Sequence, residues 1–282
     1  MDQKEEKEEK DKDEQLVINE IVKLLKKYYV NYQEGKYANI KTIKEFQELW
    51  GQEHGGYLTP EEIYKWKQII QGTTTEKIEE GPIKYPEIKY VVLHNTKVKA
   101  IWIPSCPYND KIIQKQYINI DNDLIMKHFS NTDTITIDLN HNYGGKDTVM
   151  MAALSPIFNM TKRRRYLYFK TKDKMVPGLF RVSDGCYSST SNPTICGTKD
   201  TLPNIKNINV LIGETASAGE VIAISFKSIS DQFNVSFYGY KTAGLTTYIK
   251  YFDLESNKGG IEIPIGYMAD AFGNLYKDGV YN

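Results

Sequence analysis

An α/β fold is what this chain predicts, and two observations carry the expectation. Short apolar, β-branched runs such as Ile208-Asn209-Val210-Leu211-Ile212 alternate with stretches whose apolar residues recur at helical spacing. Several of the strand-like runs end in small-residue turns that open helices, the unit from which a sheet with helices packed on it is built. With 282 residues, 40% of them hydrophobic, the chain can bury the core of one large domain, or of one domain plus a small appendage. There is no internal repeat of fixed period.

The elements read in order as follows. Residues 1–14 are nearly all charged and predict a disordered tail. From Leu16 to about Tyr29 the positions Ile18, Ile21, Val22, Leu24 and Leu25 recur at helical spacing. A second helix is expected over 40–50, with Ile43, Phe46, Leu49 and Trp50 as its apolar face. Pro60-Glu61-Glu62 opens a third, with Pro in the first turn and acids near the N-terminus. A linker at Gln71-Gly72-Thr73-Thr74-Thr75 closes this small helical N-terminal subdomain, assigned to residues 15–75. The α/β core is assigned to residues 76–282.

Within the core, Ile88–Leu93 and Val98–Ile103 read as a hairpin around His94-Asn95-Thr96-Lys97. A helix over 121–129 leads to the strand Thr134-Ile135-Thr136-Ile137-Asp138-Leu139, then a Gly-Gly turn and a helix over 148–158. Aromatic strand residues 166–169 precede a long loop. The strand 208–212 follows, then a helix after Ser217, with further strands at 235–238, 248–252 and 260–264.

Lys+Arg and Asp+Glu balance at 36 each, which removes any bulk electrostatic argument for nucleic acid or an anionic membrane as partner. No apolar run approaches the roughly 18 residues of a spanning helix, so no membrane insertion is expected. The N-terminus lacks the basic-then-apolar layout of a secretory signal, and a cytoplasmic location is the default expectation. The three cysteines have no metal-ligand spacing; Cys186 and Cys196 read as two free thiols, with pairing open to them in an oxidising compartment. No cofactor or metal is called for, and no oligomeric state is specified.

The chemistry concentrates in Gly213-Glu214-Thr215-Ala216-Ser217-Ala218-Gly219-Glu220. Its tiny residues sit between a buried strand and a helix, where a turn exposes a hydroxyl and aims helix N–H groups at developing negative charge. That suits Ser217 as a nucleophile, and equally as a helix cap. Asp138-Leu139-Asn140-His141-Asn142-Tyr143-Gly144-Gly145-Lys146 also follows a strand and precedes a helix. Its Gly-Gly pair fits an oxyanion hole, or an ordinary turn needing positive φ. The segment Tyr238 to Thr247 is turn-rich and suited to lining a site, or to a plain hairpin connection. Lys162-Arg163-Arg164-Arg165 reads as a solvated basic loop.

A serine nucleophile needs a base, and the chain offers four histidines. His94 lies at a hairpin tip and His128 at a helix C-terminus, both explained without chemistry. His54, in the turn Gly51-Gln52-Glu53-His54-Gly55-Gly56-Tyr57, and His141, beside the Gly-Gly turn, both remain open on the residues alone.

Taken together, Asn142-x-Gly144-Gly145 after Ile-Asp-Leu, Thr215-Ala216-Ser217-Ala218-Gly219-Glu220 and Thr242-Ala243-Gly244-Leu245-Thr246-Thr247 occur in the order seen in C-terminal-processing (tail-specific) serine peptidases. Trp102-Ile103-Pro104-Ser105 and Leu154-Ser155-Pro156 make the chain resemble the nisin-resistance-protein-like branch, over roughly residues 50–282. The resemblance implies a ClpP/crotonase-like core. It implies Ser217 as nucleophile and an oxyanion hole from the N–H of Ala218 with that of Gly144 or Gly145. Leu245 stands where the lysine-dyad branch has Lys, so the resemblance points to a histidine, and the turn around His54 matches that motif. Gly55 replaces the serine that follows the family histidine. A third triad member is expected near Asp270, Tyr276 and Asp278, with Asp270 as the choice; a Ser–His dyad is the other arrangement. Thr242, Gly244 and Leu245 are the expected substrate-binding residues. Glu220 is expected to brace the turn.

The implied activity is cleavage of a peptide or protein substrate near its C-terminal end through an acyl-enzyme. The competing classes are an inactive peptide-binding or structural protein on the same scaffold, and a small-ester or acyl hydrolase.

Overall fold

The computed structural model describes residues 3–51, 54–71, 82–107 and 109–281. The first elements are α1 (Gln3–Tyr28), α2 (Ile43–Trp50), β1 (Gly56–Leu58) and α3 (Pro60–Gln71). The hairpin β2 (Glu87–Leu93) and β3 (Thr96–Trp102) follows, then α4 (Lys111–Phe129), β4 (Thr134–Asp138), α5 (Asp147–Ala153) and α6 (Ser155–Phe158). Four strands come next: β5 (Arg165–Thr171), β6 (Met175–Ser183), β7 (Cys186–Ser189) and β8 (Ile195–Cys196). The chain ends with β9 (Asn207–Ile212), α7 (Ala218–Lys227), β10 (Asn234–Gly239), β11 (Thr247–Asp253), β12 (Gly260–Ala269) and β13 (Leu275–Tyr276).

Two compact units emerge. The first comprises Met1–Glu79, Thr171–Asp173 and Thr247–Tyr267. Val17, Ile18, Ile21 and Leu25 form one face of α1 and are buried with Phe46 and Trp50 of α2 and with Ile261 and Ile263 of β12. Aromatic rings fill the middle, Tyr29 lying 5.1 Å and Phe46 5.5 Å from Trp50. Thr42 caps α2 by accepting the Glu45 N–H at 3.1 Å. β1 and β11 both pair antiparallel with β12. The subdomain assigned to residues 15–75 therefore draws on strands from the C-terminal part of the chain, which no local pattern announces. The linker expected at 71–75 lies, beyond Gln71, outside the described residues.

The tail expected to be disordered is instead the first half of α1, which begins at Gln3. Lys and Glu are good helix formers, and the charged stretch runs without a break into the apolar face. Asp13 pairs with Lys258, and Glu14 accepts the Ile43 N–H at 3.4 Å.

The second unit comprises Glu80–Lys170, Lys174–Thr246 and Met268–Asn282. Its main sheet has the order β10-β9-β4-β3-β2, parallel except for β2. Ile135, Ile137, Ile208 and Val210 are fully buried, as central parallel strands covered by helices require. The two-residue turn of the β2–β3 hairpin puts His94 and Asn95 at φ 48° and 62°, the left-handed geometry such turns use. Asp110 starts α4 ten residues before the expected helix, its carboxylate accepting the Ile112 N–H at 2.6 Å. The expected helix over 148–158 breaks at Leu154, because Pro156 lacks an N–H and restricts the residue before it. The strand expected at 166–169 is β5, and it pairs into an antiparallel meander whose other strands, β6, β7 and β8, occupy the stretch read as a loop. Its last strands carry a Cys186–Cys196 disulfide, which corrects the reading of two free thiols.

Asp121 of α4 is fully buried, and neither carboxylate oxygen has a hydrogen-bond partner among the described residues. Burial holds its pKa well above the usual carboxylate range. The folded state thus keeps a proton that the unfolded chain gives up above about pH 4. Stability attributable to this group is present below that pH and is lost as pH rises towards the folded pKa. We expect Asp121→Asn to gain stability relative to wild type as pH rises from about 4 to about 8. Parallel urea-unfolding midpoints across that range would rule this out.

Candidate active site

The site grows from the C-terminal ends of β4 and β9, the ends of parallel strands outside which ligands bind in open α/β sheets. β9 ends at Ile212 and α7 begins at Ala218, so five residues make the turn. Ser217 is the N-cap of α7 at φ 53° and ψ −120°, a conformation that costs a β-carbon-bearing residue energy. The turn persists because its surroundings fix it. Thr215 Oγ1 donates to Leu139 O at 2.8 Å, and the Ala216 N–H donates to Asn142 O at 2.9 Å. The turns after the two strands are thereby stitched together. Ser217 is half-buried within an otherwise buried stretch from Thr215 to Phe226.

Glu220 braces this turn, as expected. Its side chain is fully buried, and one oxygen accepts the Ser217 N–H at 2.9 Å. The other accepts the Gly244 N–H at 2.8 Å and the Thr242 hydroxyl. Burial pushes the Glu220 pKa up, against the lowering effect of these donors. Thr242 Oγ1 also accepts the Val280 N–H at 2.8 Å. These bonds commit the Thr242 hydroxyl and the Gly244 N–H, two of the groups expected to meet substrate. Thr242 is 2% exposed with its hydroxyl committed inside, and the Gly244 N–H is committed to the same carboxylate. Leu245 is half-exposed and keeps room for contact with a ligand.

The Gly144-Gly145 turn lies against Ser217. A β-carbon on Gly144 would sit 2.9 Å from Ala218 N and 3.0 Å from Ser217 Cβ. One on Gly145 would sit 2.2 Å from Cys106 O, and both glycines have positive φ, so neither tolerates a side chain. Asn142 organises the turn from a fully buried position. Its amide donates to Ile103 O at 2.9 Å, and its Oδ1 accepts the Gly144 N–H at 2.9 Å. That bond removes the Gly144 N–H from the expected oxyanion donors. The N–H groups of Gly145 and Ala218 meet no acceptor among the described residues. Behind them, Asp147 opens α5 and accepts from Asn192 Nδ2 at 2.8 Å and Ser189 Oγ at 3.1 Å. Both donors lie inside the loop closed by the disulfide.

The candidate bases fall in different units. His54 belongs to the first, His141 and Ser217 to the second. Trp50 Nε1 donates to Gly55 O at 3.1 Å, fixing the His54 turn. Gly55 has φ 88°, and a β-carbon there would lie 2.7 Å from Glu262 O, which explains why no serine follows this histidine. His54 Nδ1 is 3.0 Å from Thr247 Oγ1, and burial lowers its pKa. Gln52 and Glu53 of the same motif lie outside the described residues. His141 is exposed at φ 59°, with Nδ1 3.1 Å from Glu214 Oε2. Asp270, the expected third triad member, spends its carboxylate on its own turn. It accepts N–H groups of Phe272 and Asn274, the Asn274 amide and the Tyr276 hydroxyl, and is bonded to no histidine among the described residues.

Solved structures share this fold. A lipoprotein from Streptococcus agalactiae aligns over 94% of this chain and 88% of its own, with TM-score 0.54 and 18% identity. A protein from Parabacteroides merdae, described as a proposed peptidase, aligns over 96% of this chain and 87% of its own, with TM-score 0.53 and 14% identity. The photosystem II D1 C-terminal processing protease reaches TM-score 0.46 over 72% of this chain and 48% of its own, at 13% identity. No family model matches the chain, and no curated protein matches it. At these identities the first two likenesses establish a mixed α/β fold in common.

If Glu220 depends on its donors, Thr242→Val should destabilise the protein by about 1–3 kcal/mol in urea unfolding, because two buried partners lose their bond. Thr242→Ser should retain most of that stability. A neutral Thr242→Val would show that the carboxylate is held without it.

Proposed function

We propose that this chain is a serine peptidase of the C-terminal-processing type, in the branch that resembles nisin-resistance proteins, with Ser217 as nucleophile and His54 as base. The observation that carries the reading is the nucleophile turn. A serine is held at positive φ between a parallel strand and a helix, beside two backbone N–H groups that meet no acceptor among the described residues. The fold shared with the proposed peptidase from Parabacteroides merdae supports it. So does the Gly244 N–H, which bonds the carboxylate that braces Ser217.

In the proposed reaction Ser217 Oγ bonds to the substrate carbonyl carbon while its proton passes to His54 Nε2. The carbonyl π pair moves onto oxygen, held by the N–H groups of Ala218 and Gly145. Collapse breaks the C–N bond, and His54 returns the proton to the departing amine. A water then gives a proton to His54 and attacks the acyl carbon, which frees the acid and reprotonates Ser217. The lowered pKa of His54 keeps the ring neutral and able to accept. The substrate is a peptide or protein, cut near its C-terminal end. The Cys186–Cys196 disulfide supports a working place in an oxidising compartment, contrary to the cytoplasmic default.

His141 is the second reading for the base, because it has a carboxylate partner in Glu214 and shares a unit with Ser217. Labelling with a fluorophosphonate probe separates the readings. Ser217→Ala should abolish labelling, and His54→Ala should slow it by about 10³–10⁴-fold. Labelling that survives Ser217→Ala removes the nucleophile assignment. Loss with His141→Ala but not His54→Ala moves the base to His141, and a folded wild type that never labels returns the chain to the binding-scaffold class.

A further inference from the structure

We propose that Thr247 is the positioning residue for His54, its hydroxyl fixing the ring and the nitrogen that carries the proton in place of a triad carboxylate. The inference rests on the His54 reading above and goes beyond it. A base that takes a serine proton through Nε2 must hold its own proton on Nδ1. In this structure Nδ1 faces Thr247 Oγ1 at 3.0 Å, and among the described residues no carboxylate is bonded to the ring. A threonine hydroxyl offers two lone pairs to an N–H and can send its own hydrogen elsewhere.

Both partners are fixed within the first unit. Thr247 begins β11 and pairs with Tyr267, whose hydroxyl bonds Asn31. As a β-branched residue on a strand, Thr247 has few χ1 choices, so its hydroxyl direction is set by the backbone. His54 is held by the Trp50–Gly55 hydrogen bond and by the pairing of Gly56 with Glu262. Glu262, whose backbone lies against Gly55, has its pKa raised by burial. The bond to Thr247 is the directional contact that decides which ring nitrogen carries the proton.

A neutral partner orients without supplying the fixed negative charge of a carboxylate, so its removal should cost less than loss of the base. We expect Thr247→Val to slow fluorophosphonate labelling about 3–10-fold, the worth of one neutral hydrogen bond. Thr247→Ser should restore most of the rate. Nitrogen NMR of His54, recorded in the Ser217→Ala background, should show protonation shifting from Nδ1 towards Nε2 in Thr247→Val and back in Thr247→Ser. A Thr247→Val protein with wild-type rate and unchanged His54 spectrum would overturn the proposal. So would slowed labelling that Thr247→Ser fails to rescue while the spectrum stays unchanged. The base assignment fails differently: His54→Ala then labels normally, whatever Thr247 does to the spectrum.

Discussion

The buried carboxylate of Glu220 is the fixed point around which the Ser217 turn is arranged. Taking such a group out of water is costly unless donors surround it, and here each donor comes from a segment with a separate task. Ser217 lends the N–H of a strained residue, Gly244 that of a glycine at φ 84°, and Thr242 a hydroxyl tied to Val280 near the end of the chain. Because the carboxylate cannot release one donor without exposing itself, the turn, the crossover from β10 to β11 and the C-terminal segment hold one another in register. The conformational strain at Ser217 is balanced by this shared anchor.

A second buried polar group does the same for the facing turn. Asn142 satisfies both ends of its amide, one on Ile103 and the other on Gly144, while its backbone carbonyl holds Ala216. Polar side chains buried this deeply specify one arrangement because every alternative leaves one of their atoms unpaired. The Ser217 turn and the glycine turn are thus linked by hydrogen bonds as well as by contact.

Where a residue's job is written in its own neighbourhood, it could be read from the chain. The strands 134–138 and 207–212, the hairpin around His94-Asn95 and the small-residue turn before α7 follow from periodicity and turn chemistry. Glu220 as a brace was legible because it stands three residues after an N-cap, the capping-box spacing. The bonds of Thr242 were not legible because its partners, Glu220 and Val280, are distant in sequence and nothing local marks a buried hydroxyl. Asp270 was read as a triad acid from its place near Tyr276 and Asp278, but its carboxylate accepts from Phe272, Asn274 and Tyr276 of its own turn. Strands β6–β8 were hidden by Pro177, Gly178 and a Ser/Thr/Asn-rich stretch whose order depends on pairing and on a covalent link. The charged start of α1 was discounted because composition alone does not reveal that a helix is continued from a buried face.

The Cys186–Cys196 bond closes a short loop whose Ser189 and Asn192 both point their donors at Asp147, the first residue of the helix behind Gly145. Two batches of identical sequence, one purified after oxidation and one with its thiols blocked beforehand, would differ in how firmly that helix start is tethered. The oxidation history of a sample is therefore a hidden variable in any comparison of its activity, and free-thiol content belongs beside concentration in describing a preparation.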